Sequence, residues 1–343
     1  MRTDIQQLFA DHFTDENGQY IDRLENRTVA TLFDKRLFKC FLPPEYGGLG
    51  LDHSETAEII ESCSYLNGSL GWLIQIGNGG MYFARNFDKA TSLELFTPKD
   101  AVIAGSGAPC GKGSRTPEGY VISGKWPYCS GSDYATLFTV TFSDEEDGEI
   151  FAAILPREQV IRIKNWNAIG MRNTSTDTIE LHSVVVPDHH VFRVAEQGCL
   201  TEVPLFQQDF TFFAQVFFLN VVFGIFQRFL DEGNELLERK KEHWAHYFPG
   251  RIERLKNALN KGTEQLCRGK GSIQQLLSDD AFGKLVENTT DPSIPIQITL
   301  DLRNCAHELY GMMGIEVLDA EHVISVCYCD LIAVSQHYLL TQN

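Results

Sequence analysis

The sequence predicts an α+β chain built from three successive blocks: helices, then short strands, then helices again. Three observations predict it. Apolar residues recur at helical spacing through much of residues 1–100, with capping residues in front of them. Short β-branched and aromatic runs, separated by turn residues, fill 101–195. Long helical stretches return over 205–343. The 343 residues suffice for two or three domains. The reading is an N-terminal helical domain at 1–100, a middle β domain at 101–195 and a C-terminal helical bundle at 205–343.

In the first block, Asp52-His-Ser-Glu55 is a helix start, and Ala57, Ile60 and Cys63 follow on one face. Before it lies FLPPEYGGLGL, where Pro43-Pro44 and Gly47-Gly48 enforce an irregular loop. In the second block, AVIAGSGA, GYVISGKW, YATLFTVTF, IFAAILP, VIRIKNW and TIELHSVVVP read as strands. Pro117-Glu118-Gly119 and the acidic run ending at Gly148 read as turns, and this spacing predicts a small barrel or sandwich. In the third block, residues 210–230 are apolar and long enough to span a bilayer. Gln215, Asn220, Gln227 and Arg228 interrupt that run, and DEGNELLERKK continues it as a charged helix, so a helix buried inside a bundle is expected. Helices are expected over 210–241, 250–268, 275–287, 294–312 and 319–341, a four- or five-helix bundle.

Composition excludes some functions. With 29 Lys+Arg against 46 Asp+Glu, the net charge is -17. A chain this acidic does not hold a nucleic-acid backbone by bulk attraction. Nine cysteines, an odd number with no Cys-x-x-Cys pair, argue for reduced thiols in the cytoplasm and against a disulfide framework or a zinc module. The start of the chain carries no apolar secretory core. No membrane and no metal are expected.

There is no P-loop, no His-Glu-x-x-His and no Gly-x-Ser-x-Gly. AGSGAPCG precedes a strand, where a dinucleotide fingerprint needs a helix. GKWPYCSGSDYA has two readings. It is an ordinary strand and turn, or it lays backbone amides and small hydroxyls against a flat heteroaromatic ring. Among ten histidines, His189-His190 follow Pro187 in a surface loop, and His243 and His246 lack a third metal ligand. His337 stands among apolar residues, two turns after Asp330, as either a core residue or an acid/base group.

Four segments, in order, resemble the acyl-CoA dehydrogenase superfamily: FLPPEYGGLGL, GYVISGKWPYCSGSDYA, NWNAIGMRNTSTDTIELHSVVVP, and HELYGMMGIEVLDA with CDLIAVSQH. The resemblance spans nearly the whole chain. It implies a helical domain, a middle β-barrel and a C-terminal four-helix bundle. It also implies FAD or FMN in the crevice between barrel and bundle, and a homodimer or homotetramer. Carried over by position, Gly107, Ala108, Tyr128, Cys129 and Ser130 would border the flavin ring. Gly311 and Gly314 would approach its nucleotide end, often from a neighbouring subunit. Met312 and Glu308 depart from the usual Gly and Gln there, which keeps FMN open beside FAD.

The branch follows from chemistry. The dehydrogenases place a Glu base after an Arg-Asp pair or on the first bundle helix. Here LIAVSQHYLL follows Asp330, FFAQVFFLNVVFGI forms the helix, and Cys329 stands where the Arg would be. A sister branch of flavin-dependent monooxygenases takes reduced flavin from a separate reductase and oxygenates phenols, amines or sulfur heterocycles. It ends in Asp with His seven residues on, as Asp330 and His337 do, and these two are the expected catalytic residues. GSLGWLIQIGNGG departs from that branch, offering Asn78 where a second His often occurs. The expectation is a two-component monooxygenase acting on a small aromatic, amine or heterocyclic substrate. The alternatives are a dehydrogenase-like enzyme with a non-standard base, or a catalytically degenerate binding or structural homologue.

Overall fold

The computed structural model describes residues 2–9, 11–277 and 293–341. Five helices come first: α1 (Arg2–Leu8), α2 (Asn26–Asp34), α3 (His53–Leu66), α4 (Gly68–Met81) and α5 (Lys89–Phe96). Seven strands follow: β1 (Ile103–Thr116), β2 (Gly119–Cys129), β3 (Leu137–Asp144), β4 (Ile150–Pro156), β5 (Ile161–Ile163), β6 (Asp177–Pro187) and β7 (Val191–Phe192). Four more helices close the described chain: α6 (Phe210–Tyr247), α7 (Pro249–Leu276), α8 (Ser293–Met313) and α9 (Val323–Val334).

Local chemistry sets the helix starts. Asp52 accepts from the Glu55 N–H and the Glu55 side chain accepts from the Asp52 N–H, a complete capping box for α3. Asn67, Asp88 and Asp209 cap α4, α5 and α6 with side chains that accept from first-turn backbone N–H groups. The FLPPEYGGLGL loop folds around a 3-10 turn at Pro44–Tyr46 and ends it with Gly47 in the left-handed region. Asn78 anchors this loop from α4. It accepts from the Cys40 N–H at 2.7 Å and donates to the carbonyls of Leu37 and Ile74. The residue that stands where the resemblance would have a histidine is therefore a buried brace.

The strands form one mixed sheet in the order β5-β6-β2-β1-β3-β4-β7. β1 and β3 run parallel and the other neighbours antiparallel. The sheet curls around a core of its own, with Ile122, Trp126, Phe138, Val140, Leu155 and Ile179 fully buried. The Trp126 indole on β2 donates to the Thr141 carbonyl on β3, across the intervening β1. The strand pairing does not confirm the expected barrel: β5 and β7 stand at the two ends of the order, and no pairing among the described residues joins them.

α6 is the axis of the helical part. Its 38 residues give it a length of about 57 Å. It is the one helix among the described residues long and apolar enough to cross a membrane, and 83% of its apolar window is buried in the fold. α3 presses against it at Gly224, where a Cβ would lie 2.3 Å from the Glu61 carbonyl oxygen. One hydrophobic core runs through both helical blocks, so the N-terminal helices pack on the bundle.

Two helix expectations need revision. The helix expected over 275–287 lies outside the described residues beyond 277; its first residues belong to the end of α7. The last expected helix, 319–341, is shorter: α9 stops at Val334, and a separate 3-10 turn covers Tyr338–Leu340. His337 is therefore on no helix. It is the N-cap of that turn.

Candidate functional site

An aromatic notch forms where α4, α6 and the turn after α9 meet. Trp72 of α4 stacks on Phe218 of α6, with ring centroids 5.0 Å apart. His337 lies 5.6 Å from Trp72, edge-on, and 4.4 Å from Phe218. Tyr338 completes the group at 4.8 Å from His337. The His337 ring is fixed by its own backbone. Its Nδ1 accepts the Leu339 N–H at 3.3 Å, which leaves the proton on Nε2. Burial lowers its pKa to about 4, so the ring is neutral at pH 7.

From this notch a hydrogen-bond chain runs into the sheet. The Trp72 indole N–H donates to Ser130 Oγ at 2.9 Å. Ser130 Oγ lies 2.8 Å from Thr176 Oγ1, which lies 2.6 Å from Thr174 Oγ1. Thr174 in turn donates to the Met171 carbonyl at 2.8 Å. The two ends fix the direction: each hydroxyl accepts from the side of Trp72 and donates towards Met171.

Met171 also binds the second expected catalytic residue. Its N–H donates to Asp330 Oδ1 at 2.5 Å. Asp330 is 2% exposed, and a Cβ on Gly68 would sit 2.5 Å from its Oδ2. Burial, and then the charge of Asp22, push its pKa up to about 8 against the opposing pull of the Met171 N–H and Arg172. It is thus a largely protonated carboxyl wedged between α4 and the loop before β6. Gly170 permits this approach, since a Cβ there would lie 2.0 Å from the Cys329 carbonyl oxygen. Asp330 and His337 share a segment but are held by different neighbours.

The same loop gathers all three blocks. Arg172 pairs with Asp22 at 2.8 Å and with Glu321 at 3.0 Å. Asn173 donates to Asp22 Oδ1 at 3.0 Å and to Ser69 through its backbone N–H. Met171 and Ser175 have φ of 53° and 44°, left-handed conformations that this packing enforces. The GMRNTST motif is thus a junction, a role its composition does not announce.

Two bulges expose backbone beside the notch. On β1 the register with β3 jumps from Ser106↔Val140 to Gly111↔Phe142, so residues 107–110 protrude and are exposed. On β2 the register with β6 jumps from Trp126↔Ile179 to Cys129↔Asp177, and Tyr128 stands out with φ 64° and 72% exposure. A Cβ on Gly107 would meet only the Tyr338 hydroxyl, at 3.2 Å. Gly107, Ala108, Tyr128 and Ser130 therefore lie on or under these bulges. Cys129 does not face outward: its side chain is fully buried in the sheet core, and burial raises its thiol pKa to about 12. Gly311 and Gly314 are at the far end of α8. Gly314 has φ 98°, and beside it Arg251 donates to the Met312 carbonyl. Ile315, next in the chain, is 87% exposed. Sequence reasoning missed Trp72, Phe218 and Thr176, whose residue types read as ordinary core.

No family model matches this chain. A pigment production hydroxylase of a Rhodococcus species is 28% identical over 297 residues, 82% of this chain and 73% of the relative. The oxygenase subunit HsaA of a flavin-dependent monooxygenase from Rhodococcus jostii is 26% identical over 187 residues, 52% of this chain. The match spans about half of that subunit, 48% of its length. Among solved structures, XiaF from a Streptomyces species, in complex with FADH2 and glycerol, superposes with a TM-score of 0.78 at 21% identity, covering 99% of this chain and 92% of its own. The sheet between two helical blocks is thus the acyl-CoA dehydrogenase-like fold.

Proposed function

We propose that this protein is the oxygenase component of a two-component flavin-dependent monooxygenase, acting on a small aromatic or heterocyclic substrate. The observation that carries the reading is the neutral His337 held in an aromatic notch beside two exposed backbone bulges. The reading draws further support from relatives named as a hydroxylase and a monooxygenase oxygenase subunit.

The residues fit a flavin. Protruding backbone at 107–110 offers N–H and C=O groups outside the ladder, and the exposed Tyr128 and Tyr338 offer flat faces. FAD or FMN, supplied reduced by a separate reductase, would provide the oxygen-activating chemistry when bound. Gly107 and Ala108 would border the ring through their backbone, Tyr128 through its face and Ser130 through its hydroxyl. Cys129 would contribute backbone only. Gly311 and Gly314 would serve a nucleotide end across a homodimer or homotetramer contact.

The chain's own residues then have separable tasks. Trp72 and Phe218 exclude water and bind a planar apolar substrate. The Nε2–H of His337 donates to oxygen, stabilising negative charge that develops there. This tautomer makes His337 a donor, one of the two acid/base roles that the sequence leaves open. Asp330, closed in under Met171, acts as a positioning residue. Its burial also removes it as a candidate base for the dehydrogenase alternative, because it cannot reach a carbon acid.

The test is oxygen uptake by the purified protein supplied with reduced FAD or FMN and a panel of phenols and indoles. Substrate-dependent uptake with a hydroxylated product supports the reading. Bleaching of bound oxidised flavin by an acyl-CoA without oxygen would replace it with the dehydrogenase reading, and failure to bind any flavin with the degenerate one.

A further inference from the structure

We propose that His189, His190 and Glu94 form a binding site for a divalent transition-metal ion of the zinc type, which ties the N-terminal helices to the sheet. Glu94 belongs to α5, and the two histidines to the 3-10 turn that follows β6. One donor atom from each lies within 4.8 Å of the others, and His190 Nε2 is 4.0 Å from Glu94 Oε1.

Two independent features point to a ligand. The first is the state of His190 Nε2, which is buried from solvent and has no hydrogen-bond partner. A buried polar atom without a partner costs about 1–3 kcal/mol, and native folds rarely keep one without use. The second is the spacing around that nitrogen. Glu94 Oε1 lies 4.0 Å from it, and the His189 ring lies 4.5 Å from the His190 ring, centroid to centroid. A nitrogen and a carboxylate oxygen that far apart make no direct hydrogen bond, and one small cation fits between them.

The donor set suits the ion. Two imidazoles and a carboxylate, with a fourth position left to water, match the ligands of zinc and its neighbours and not those of calcium. Zinc at about 2.0–2.2 Å from each ligand places donors roughly 3.3–3.5 Å apart, so the cluster has to contract slightly. Glu94 is exposed and on a helix surface, free to make that movement.

The experiment titrates EDTA-treated full-length protein with Co2+, read by visible d–d absorption, and then displaces it with Zn2+. One ion per chain is expected, with a rise in thermal midpoint on adding Zn2+. Glu94→Gln, at an exposed position that leaves the fold intact, should weaken binding at least tenfold and remove the thermal rise. His190→Ala should do the same. Replacing the exposed Cys110 and Cys267 together by Ser should leave binding unchanged. Absence of binding at micromolar metal, binding unaffected by Glu94→Gln and His190→Ala, or binding lost with the two cysteines would each overturn the proposal.

Discussion

The Trp72 indole donates to Ser130 Oγ at 2.9 Å, joining α4 to the residue that follows the last strand position of β2. The bond is the first link of the chain that ends at Met171. It ties the wall of the notch to the bulge proposed to carry flavin.

Trp72→Phe keeps the stacking on Phe218 and removes the donor. Ser130 then loses the donor on the notch side, and a small void opens beside it. Stability should fall by about 1–2 kcal/mol, read by urea denaturation. Flavin affinity should fall as well, read by absorption titration. An unchanged affinity would separate the hydroxyl chain from the bulge.

His337→Ala should lower turnover by roughly 100-fold or more while leaving flavin affinity within a fewfold. Because burial lowers the pKa of His337 to about 4, its neutral form persists well below the usual 6.5. Any acid limb due to this residue should therefore lie near pH 4. Unaltered turnover in the variant would reduce His337 to a packing ring.

Gly107→Phe tests the β1 bulge. The added side chain enters exposed space with only the Tyr338 hydroxyl nearby, so the fold should hold, with a thermal midpoint close to wild type. Flavin binding should be lost in the same titration. Cys129 is a poor place for such a block, because a large ring there would burst the sheet core before meeting any ligand.

Asp330→Asn tests the buried carboxyl. A folded-state pKa raised from 3.8 to about 8 means the native state holds a proton that the unfolded state releases above pH 4. Stability from this residue is then present below about pH 4 and lost as pH rises towards 8. Asparagine keeps the acceptor for the Met171 N–H and cannot ionise. The variant should be more stable than wild type at pH 8, on the order of 2–4 kcal/mol, with the difference vanishing near pH 4. A pH-independent difference would show that Asp330 ionises normally.

Local signals were legible and long-range ones were not. The Asp52–Glu55 box, the turn at Gly47 and the buried character of α6 follow from residues next to one another. The strands were readable as runs, but their closure was not, because alternation along a strand says nothing about which strand ends as an edge. His337 was readable as unusual. Its exit from α9 was not, since Ser335, Gln336 and His337 carry no strong helix breaker. Cys129 was placed with its neighbours by order in the chain, and the bulge turned it the other way. Glu94 and His190 are distant in sequence, so their meeting had no sequence signal at all.

The junction at Met171–Asn173 has a consequence for how the molecule comes apart. Asp22 from the first block, and Glu321 and Asp330 from the third, all grip one short loop of the second. Releasing any one of them loosens the supports of the other two. The contacts between the blocks should therefore loosen together at this loop, and a protease that nicks one block should weaken the notch that the others help to hold.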